Sequence, residues 1–213
     1  MSTRAATRTA LLAVAALAWA VTAERMWGMD EGPATDLGAL GWYLGVWVTM
    51  TAAMMLPSTV RVAREVSFAL GYLAVWTVFG LAAYLVFRSR TSVEVAGELV
   101  IAAGLYELTP LKQRSLRRCR EPEPSRSPFR AGCAHGLDCV GCSGGLMVVL
   151  FALGVMSLFW MAAVAAVIFA EKVLPHGPRL SRAVAVILLL LGAWVTLSPG
   201  SVPALSEPMM MAL

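Results

Sequence analysis

Long apolar segments with few charges constrain the fold of this chain more than any other feature of its sequence. A helix needs about 20 apolar residues to cross the hydrocarbon core of a bilayer, and these continuous runs lack the alternation of barrel strands. Charged residues make up only 14% of the chain, against about 25% in soluble domains. The sequence predicts an all-α, polytopic helical membrane protein with about six transmembrane helices (five to seven). The expected spans are residues 8–22, 37–56, 67–87, 92–109, 144–170 and 182–198.

The apolar run 140–170 is too long for one span and too short for two spans with a turn. We expect one long, tilted helix there. The chain 1–213 is then a single transmembrane domain with a basic cytoplasmic loop at 111–136. The first segment also fits a cleavable signal peptide, because Arg4 and Arg8 precede a short apolar core and the small residues of "AWAVTA".

The distribution of Lys and Arg predicts the orientation, since cytoplasmic loops are enriched in these residues. With the N-terminus inside, eleven of the 17 lie in cytoplasmic segments and six on the other side, which favours cytoplasmic N- and C-termini. The net charge of +4 is concentrated in "LKQRSLRRCREPEPSRSPFR". Such a run beside a span is typical of a topology determinant attracted to anionic lipid. No aromatic interleaving or fold motif indicates nucleic-acid binding.

Three of the four cysteines and one of the two histidines lie in the stretch "CAHGLDCVGC". Cys139 and Cys142 form a C-x-x-C pair, and His135 precedes Cys139 by four residues. On a helix that begins near residue 136, these three positions share a sector of about 60°. On the predicted topology they face the reducing side of the membrane, where thiols stay free to bind metal or to cycle as redox groups.

Thiolate and imidazole ligands suit Cu(I) and Zn(II). Two-coordinate Cu(I) needs only Cys139 and Cys142, whereas tetrahedral zinc needs further ligands, for which Cys133 or Cys119 is available. Alternatively, the cysteines pack as small apolar residues. Haem attachment is excluded on pattern, because Ser143 follows Cys142 where a histidine is required.

Methionines form a second group of candidate ligands. In "MTAAMMLPS", Met50 and Met54 lie one helical turn apart and Met55 is adjacent. Thioethers bind Cu(I) and not hard ions. Methionine also fills irregular apolar gaps, so the same pattern fits ordinary packing.

Acidic residues on the fourth expected span form a third group. Glu94 and Glu98 lie one turn apart, and Glu107 lies near the cytoplasmic end of that span. A carboxylate inside the membrane is costly unless it is paired or protonated, so each is a functional candidate, with Glu98 the deepest. A structural hydrogen bond to a neighbouring helix is the alternative. No Walker loop, dinucleotide fingerprint or G-x-S-x-G motif points to an enzyme.

Three blocks of the sequence resemble a bacterial family of predicted metal-binding integral membrane proteins, some of which are labelled copper chaperones. The blocks are "MTAAMMLPS" (50–58), "AAGLYELTPLKQRSLRRCREP" (102–122) and "HGLDCVGCSGGLMVVLFALGVMSLFWMAAVAAVIFAEKVLPHG" (135–177). The resemblance implies a multi-span helical fold and a bound metal, with copper the leading candidate. The positions that match the family pattern are Met54, Met55, Tyr106, Pro110, Lys112, Cys119, Cys139, Cys142, Met147, Met156, Trp160, Glu171 and Lys172.

Three departures from the family pattern bear on metal stoichiometry. Glu107 stands where the family usually has glutamine, Ser115 where it has cysteine, and Ser143 with Gly144 where it has Cys-Trp. Two thiols are therefore missing from the pattern, and Cys133 is a candidate replacement.

The leading hypothesis is a non-enzymatic protein of the bacterial inner membrane that binds a soft metal, Cu(I) before zinc, and delivers it to a copper-accepting or membrane-complex partner. Cys139 and Cys142 are the expected primary ligands, His135, Cys119 and Cys133 the auxiliaries, and Met50, Met54 and Met55 an intramembrane relay. A membrane thiol oxidoreductase that uses the C-x-x-C pair is the second hypothesis. A structural subunit whose cysteines and methionines only pack is the third.

Overall fold

The computed structural model describes residues 3–26, 38–63, 65–88, 93–121, 127–153 and 158–197. Helices account for 91% of these residues, which include no strand. The prediction of an all-α, multi-span fold is confirmed. The helices of the described residues are α1 (Thr3–Met26), α2 (Leu40–Thr59), α3 (Val66–Phe87), α4 (Val93–Glu107), α5 (Pro110–Arg120), α6 (Pro128–Leu153), α7 (Leu158–Val173) and α8 (Gly177–Leu197).

Five of the described helices, α1, α2, α3, α6 and α8, are long and apolar enough to cross a membrane. The other two apolar helices are shorter, with 15 residues in α4 and 16 in α7. Both pack against longer neighbours, α4 mainly on α8 and α6, and α7 on α2, α6 and α8. Their polar ends lie inside the bundle, where Glu107 and Glu171 are buried.

The expectation of one helix across 140–170 is wrong. The helix α6 begins at Pro128 and ends at Leu153, and a second helix, α7, begins at Leu158. Lys172 near the end of α7 contacts Cys139 in the first half of α6, so α7 runs antiparallel to α6. The apolar run therefore holds two packed helices, and hydropathy alone does not mark where the first ends and the second begins.

The segment 111–136, expected to be a loop, contains most of α5 and the first turns of α6. Pro110 occupies the first turn of α5, and the side chain of Thr109 accepts a hydrogen bond from the backbone N–H of Lys112. Both are helix-starting signals. Basic residues in the last turn of α5 complement the helix dipole.

Glycines bring α6 against α3, backbone to backbone. A Cβ atom at Gly132 would collide with the carbonyl of Phe68, and one at Gly71 with the carbonyl of Phe129. Small residues at such a crossing allow close helix packing in a membrane. The polar first turns of α6 are therefore covered by α3, and Tyr72 lies beside α6.

The bundle has two ends, which we name by their contents. At the α5 end, Arg120 of α5 donates hydrogen bonds to the carbonyls of Glu171 and Leu174 at the end of α7. At the opposite end, the Arg25 guanidinium lies over the Trp42 ring and the Tyr84 hydroxyl donates to the carbonyl of Gly38. The candidate metal ligands of the sequence lie mostly at the α5 end.

Candidate metal site

A short amphipathic helix, α5, covers the α5 end of the bundle. Its buried residues, Lys112, Leu116 and Cys119, are spaced by four and three residues and lie on one face. Arg114, Arg117 and Arg118 are exposed on the other side. The inner face of α5 therefore brings one ammonium group and one thiol into the bundle.

Three buried thiols form a cluster, which we call the thiol cluster: Cys119 on α5, and Cys139 and Cys142 on α6. Their sulfur atoms all lie within 4.8 Å of one another, and the Sγ atoms of Cys142 and Cys119 are 3.4 Å apart. Three sulfurs that share one metal at about 2.3 Å lie roughly 4 Å from each other. The cluster therefore needs only small side-chain shifts to hold a single soft ion.

Two polar side chains contact the sulfur of Cys139. The Lys172 ammonium is 2.8 Å from this sulfur, and the Tyr72 hydroxyl is 2.9 Å from it. A neighbouring cation and hydrogen-bond donors favour the thiolate, which is the form that binds metals. The Ser143 hydroxyl lies 3.6 Å from the Cys139 sulfur and 3.5 Å from the Cys142 sulfur.

The third thiol is held differently. Hydrogen bonds to Cys139 and Cys142, together with burial, raise the pKa of Cys119 above its ordinary value. The Cys142 thiol donates a hydrogen bond to the Cys119 sulfur, and the raised pKa of Cys119 favours its protonated form in the metal-free cluster. Because a metal binds the thiolate, a proton would leave Cys119 when an ion is bound by all three sulfurs.

A buried ion triad, formed by Glu107, Lys112 and Glu171, lies beside the thiol cluster. The Lys112 ammonium is 2.7 Å from Oε1 of Glu107 and 2.8 Å from Oε2 of Glu171. Ser181 of α8 donates to Oε2 of Glu107 at 2.9 Å. Burial alone lowers the pKa of Lys112, but the charges of Glu171 and Glu107 outweigh it and hold this pKa above its ordinary value. The triad therefore fixes α5 to α4 and α7 through one cation, and Ser181 links α8 to Glu107.

Consecutive residues of α7 connect the triad with the thiol cluster. Glu171 belongs to the triad, and Lys172 reaches the sulfur of Cys139. The Lys172 ammonium is also 4.0 Å from the Sδ atom of Met55 on α2. One thioether therefore lies next to the same cation as the thiol cluster.

The remaining candidate ligands of "CAHGLDCVGC" lie outside the thiol cluster. His135 is buried, its ring packs against the rings of Phe68 and Tyr72, and its Nδ1 atom has no hydrogen-bond partner. Cys133 is partly buried, and its sulfur is 3.5 Å from the carbonyl oxygen of Gly71. Both residues lie between the thiol cluster and the beginning of α6.

The predicted methionines are all buried on α2: Met50, Met54 and Met55 are each at most 3% exposed. The predicted acids lie in different environments. Glu98 is exposed on α4, the side chain of Glu94 lies outside the described residues, and Glu107 belongs to the ion triad.

Sequence reasoning missed Tyr72 and Ser181. Tyr72 lies in the segment 67–87, which the sequence indicates only as a span, and nothing in the sequence places it against Cys139. Ser181 immediately precedes the expected span 182–198. Lys112, Glu171 and Lys172 were indicated by the family resemblance alone, which gave no role to any of them.

Comparison with protein families agrees with the sulfur chemistry of the site. A family model described as "Copper chaperone" matches residues 44–195. That range runs from α2 to α8 and contains the thiol cluster, the ion triad and Lys172. No curated protein and no solved structure shows a significant match to the chain.

Proposed function

This chain belongs to the copper chaperone family, and from that premise we propose that it is a membrane protein that binds Cu(I) at Cys119, Cys139 and Cys142 and delivers it to a protein partner. The convergence of three buried thiols from two helices carries this proposal. Copper is cargo in this function, so no catalytic step is required. The other partner of the protein is the lipid bilayer, and nucleic acid has no role in this function.

The donor set favours Cu(I) over zinc. Thiolates select soft ions, and structural zinc is almost always held by four ligands. Among the described residues, the compact group of candidate ligand atoms consists of three sulfurs, without a histidine or carboxylate as a fourth member. We assign His135 and Cys133 as auxiliary ligands outside this group, and Met50, Met54 and Met55 as a thioether relay.

The Lys172 ammonium offsets part of the negative charge of a copper-loaded cluster. Three thiolates and one Cu(I) carry a net charge of −2, which the ammonium beside Cys139 reduces to −1. Uncompensated charge is costly in a buried site. A thiolate cluster with its own cation is therefore a better host for an ion of low charge than three sulfurs alone.

The membrane orientation follows from the charge of the two ends. Among the described residues, twelve Lys and Arg lie at the α5 end and two, Arg25 and Arg88, at the opposite end. The α5 end is then cytoplasmic, in a bacterial inner membrane, with the N-terminus on the same side. Because α7 crosses back to the α5 end, α8 ends on the opposite side of the membrane. This differs from the expectation of a cytoplasmic C-terminus.

Metal analysis of purified protein tests the function. Protein isolated anaerobically in detergent is expected to contain about one copper per chain by elemental mass spectrometry. The Cys139→Ser/Cys142→Ser variant is expected to lose it, because two of three ligands are removed. Cys133→Ser is the matched control and is expected to keep most of the metal, since this thiol lies outside the cluster.

Other outcomes would change the assignment. Zinc in place of copper would keep the site and replace the cargo. Absence of metal together with a reversible disulfide among these cysteines in cells, found by thiol trapping, would favour the membrane thiol oxidoreductase. Absence of both would leave a packing role within a larger membrane complex.

A further inference from the structure

We propose that Cu(I) moves through the bundle along a route that begins at the thiol cluster. The buried thioethers of Met55, Met147 and Met50 bind the ion in turn on its way toward the opposite end. This inference rests on the proposed function and adds to it the passage of Cu(I) across the membrane. The substrate class is a soft monovalent cation.

One ridge of α6 leads away from the thiol cluster. Cys139, Ser143, Met147 and Phe151 follow one another at intervals of four residues, so they lie on the same face of the helix. Met147 is 0% exposed and lies about 12 Å beyond Cys139 along the helix axis. The ridge thus passes from a thiol to a hydroxyl and then to a thioether.

The facing part of α2 supplies the other thioethers. Lys172 contacts both Met55 and Cys139, which places these two sulfurs at one level. At a second level, nearer the opposite end, the rings of Trp47 and Phe151 stack 5.5 Å apart. Met50 lies between the two levels on α2, about 7.5 Å from Met55 along the helix, and Met147 lies between them on α6, about 12 Å from Cys139. A further buried thioether, Met161 of α7, is also 0% exposed.

Two buried oxygens without partners lie along the same stretch. The hydroxyl of Thr51, next to Met50, and the hydroxyl of Tyr43, one turn before Trp47, make no hydrogen bond in the structure. Thr51 is 0% exposed and Tyr43 3%. Buried polar groups nearly always have a partner, and an exception calls for a bound ion, a water or another specific role. Both oxygens belong to α2, the helix that also carries Met50 and Met55.

The chemistry of the route is ligand exchange without electron transfer. Copper stays in the +1 state, and a bond to a thioether sulfur forms as a bond to a thiolate sulfur breaks. The thiolate left at Cys139 keeps its negative charge beside the Lys172 ammonium. Soft sulfur ligands and aromatic ring faces both stabilise a monovalent cation away from water.

Aromatic rings pack across the route at the opposite end. The ring of Phe151 stacks on Phe87 with a centroid distance of 4.8 Å, and the rings of Tyr43 and Tyr84 are 5.0 Å apart. Release on that side therefore requires these rings to separate, so the structure corresponds to a state closed at the opposite end.

Copper uptake into vesicles tests the route. Full-length protein is reconstituted in phospholipid vesicles that contain a Cu(I)-chelating dye, and Cu(I) kept reduced with ascorbate is added outside. The dye signal is expected to rise faster than in protein-free vesicles. In the Met50→Leu/Met147→Leu variant, uptake is expected to fall at least tenfold, while the purified protein still holds copper at its three clustered thiols. Leucine conserves side-chain volume but offers no ligand.

The control variant is Met26→Leu, which removes a buried methionine of α1 away from the ridge and is expected to keep wild-type uptake. Wild-type protein that holds copper and yet gives no uptake above protein-free vesicles would overturn the route, as would unchanged uptake in the Met50→Leu/Met147→Leu variant. Failure of the wild-type protein to hold copper at all would instead overturn the proposed function.

Discussion

At the scale of single residues, the chemistry of the site depends on the cation that accompanies its thiols. Lys172 is one of two charged groups that α7 places in the interior, and its ammonium contacts the sulfur of Cys139. A thiol cluster without a nearby cation would have to lose its protons against the cost of buried negative charge. The Lys172 ammonium offsets the cost of this buried negative charge in the metal-free site.

Removing this ammonium is expected to weaken copper binding. Lys172→Met keeps most of the side-chain volume but deletes a hydrogen bond to a charged group, worth about 1.5 kcal/mol or more, so the Kd for Cu(I) should rise about tenfold or more. Competition with a chromophoric Cu(I) chelator measures this change. Lys172→Arg keeps the charge and is expected to bind far more tightly than Lys172→Met; equal affinities of the two variants would contradict the assigned role.

At the scale of elements, α5 is held in place mainly by contacts with distant parts of the chain. One cation, Lys112, pairs with carboxylates that belong to α4 and α7, and Arg120 binds the carbonyls at the end of α7. The position of Cys119 in the thiol cluster follows from this docking.

Deletion of the central cation of the triad is expected to destabilise the protein. Lys112→Met leaves Glu107 and Glu171 as buried carboxylates without their partner, and breaking a buried ion pair in this way costs about 3–5 kcal/mol. The thermal unfolding midpoint in detergent should therefore fall clearly. Arg114→Gln alters an exposed charge on the same helix and is expected to leave the midpoint nearly unchanged. Equal midpoints of the two variants would show that the triad does not hold α5.

Some elements could be predicted from the sequence because their environment is uniform. The expected spans 37–56, 67–87 and 182–198 lie within a few residues of α2, α3 and α8, whose apolar composition extends over nearly their whole length. The beginning of α6 was not predicted, because its polar residues are covered by α3 through Gly71 and Gly132. A hydropathy scale rates each residue by its preference for lipid over water. It does not show that a polar residue is covered by another helix.

The site was predictable only where its members are neighbours in sequence. Cys139 and Cys142 were found from their spacing, and their joint burial follows from one turn of helix. Cys119 was placed among the auxiliaries, because its approach depends on the docking of α5 on distant helices. His135 shares the helix of the two cysteines, but Phe68 and Tyr72 hold its ring apart from the compact sulfur group.

At the scale of the whole molecule, the strong bias of basic residues toward one end predicts a fixed orientation. In a background without native cysteines, Arg117→Cys on the exposed side of α5 should react with a membrane-impermeant maleimide only after cells are lysed. Leu197→Cys at the end of α8, where the side chain is 83% exposed, should react in spheroplasts with intact inner membranes. Protection of both positions would mean that α7 does not cross the membrane.

The division of the three sulfurs between two helices has a kinetic consequence. In the proposed site, Cys139 and Cys142 form a bidentate pair on α6, and Cys119 on α5 supplies the third ligand. Undocking α5 lowers the denticity from three to two without breaking the fold of α6. The residence time of the metal is then governed by how often a short surface helix separates from the bundle, and a partner that binds α5 can shorten it without touching the metal.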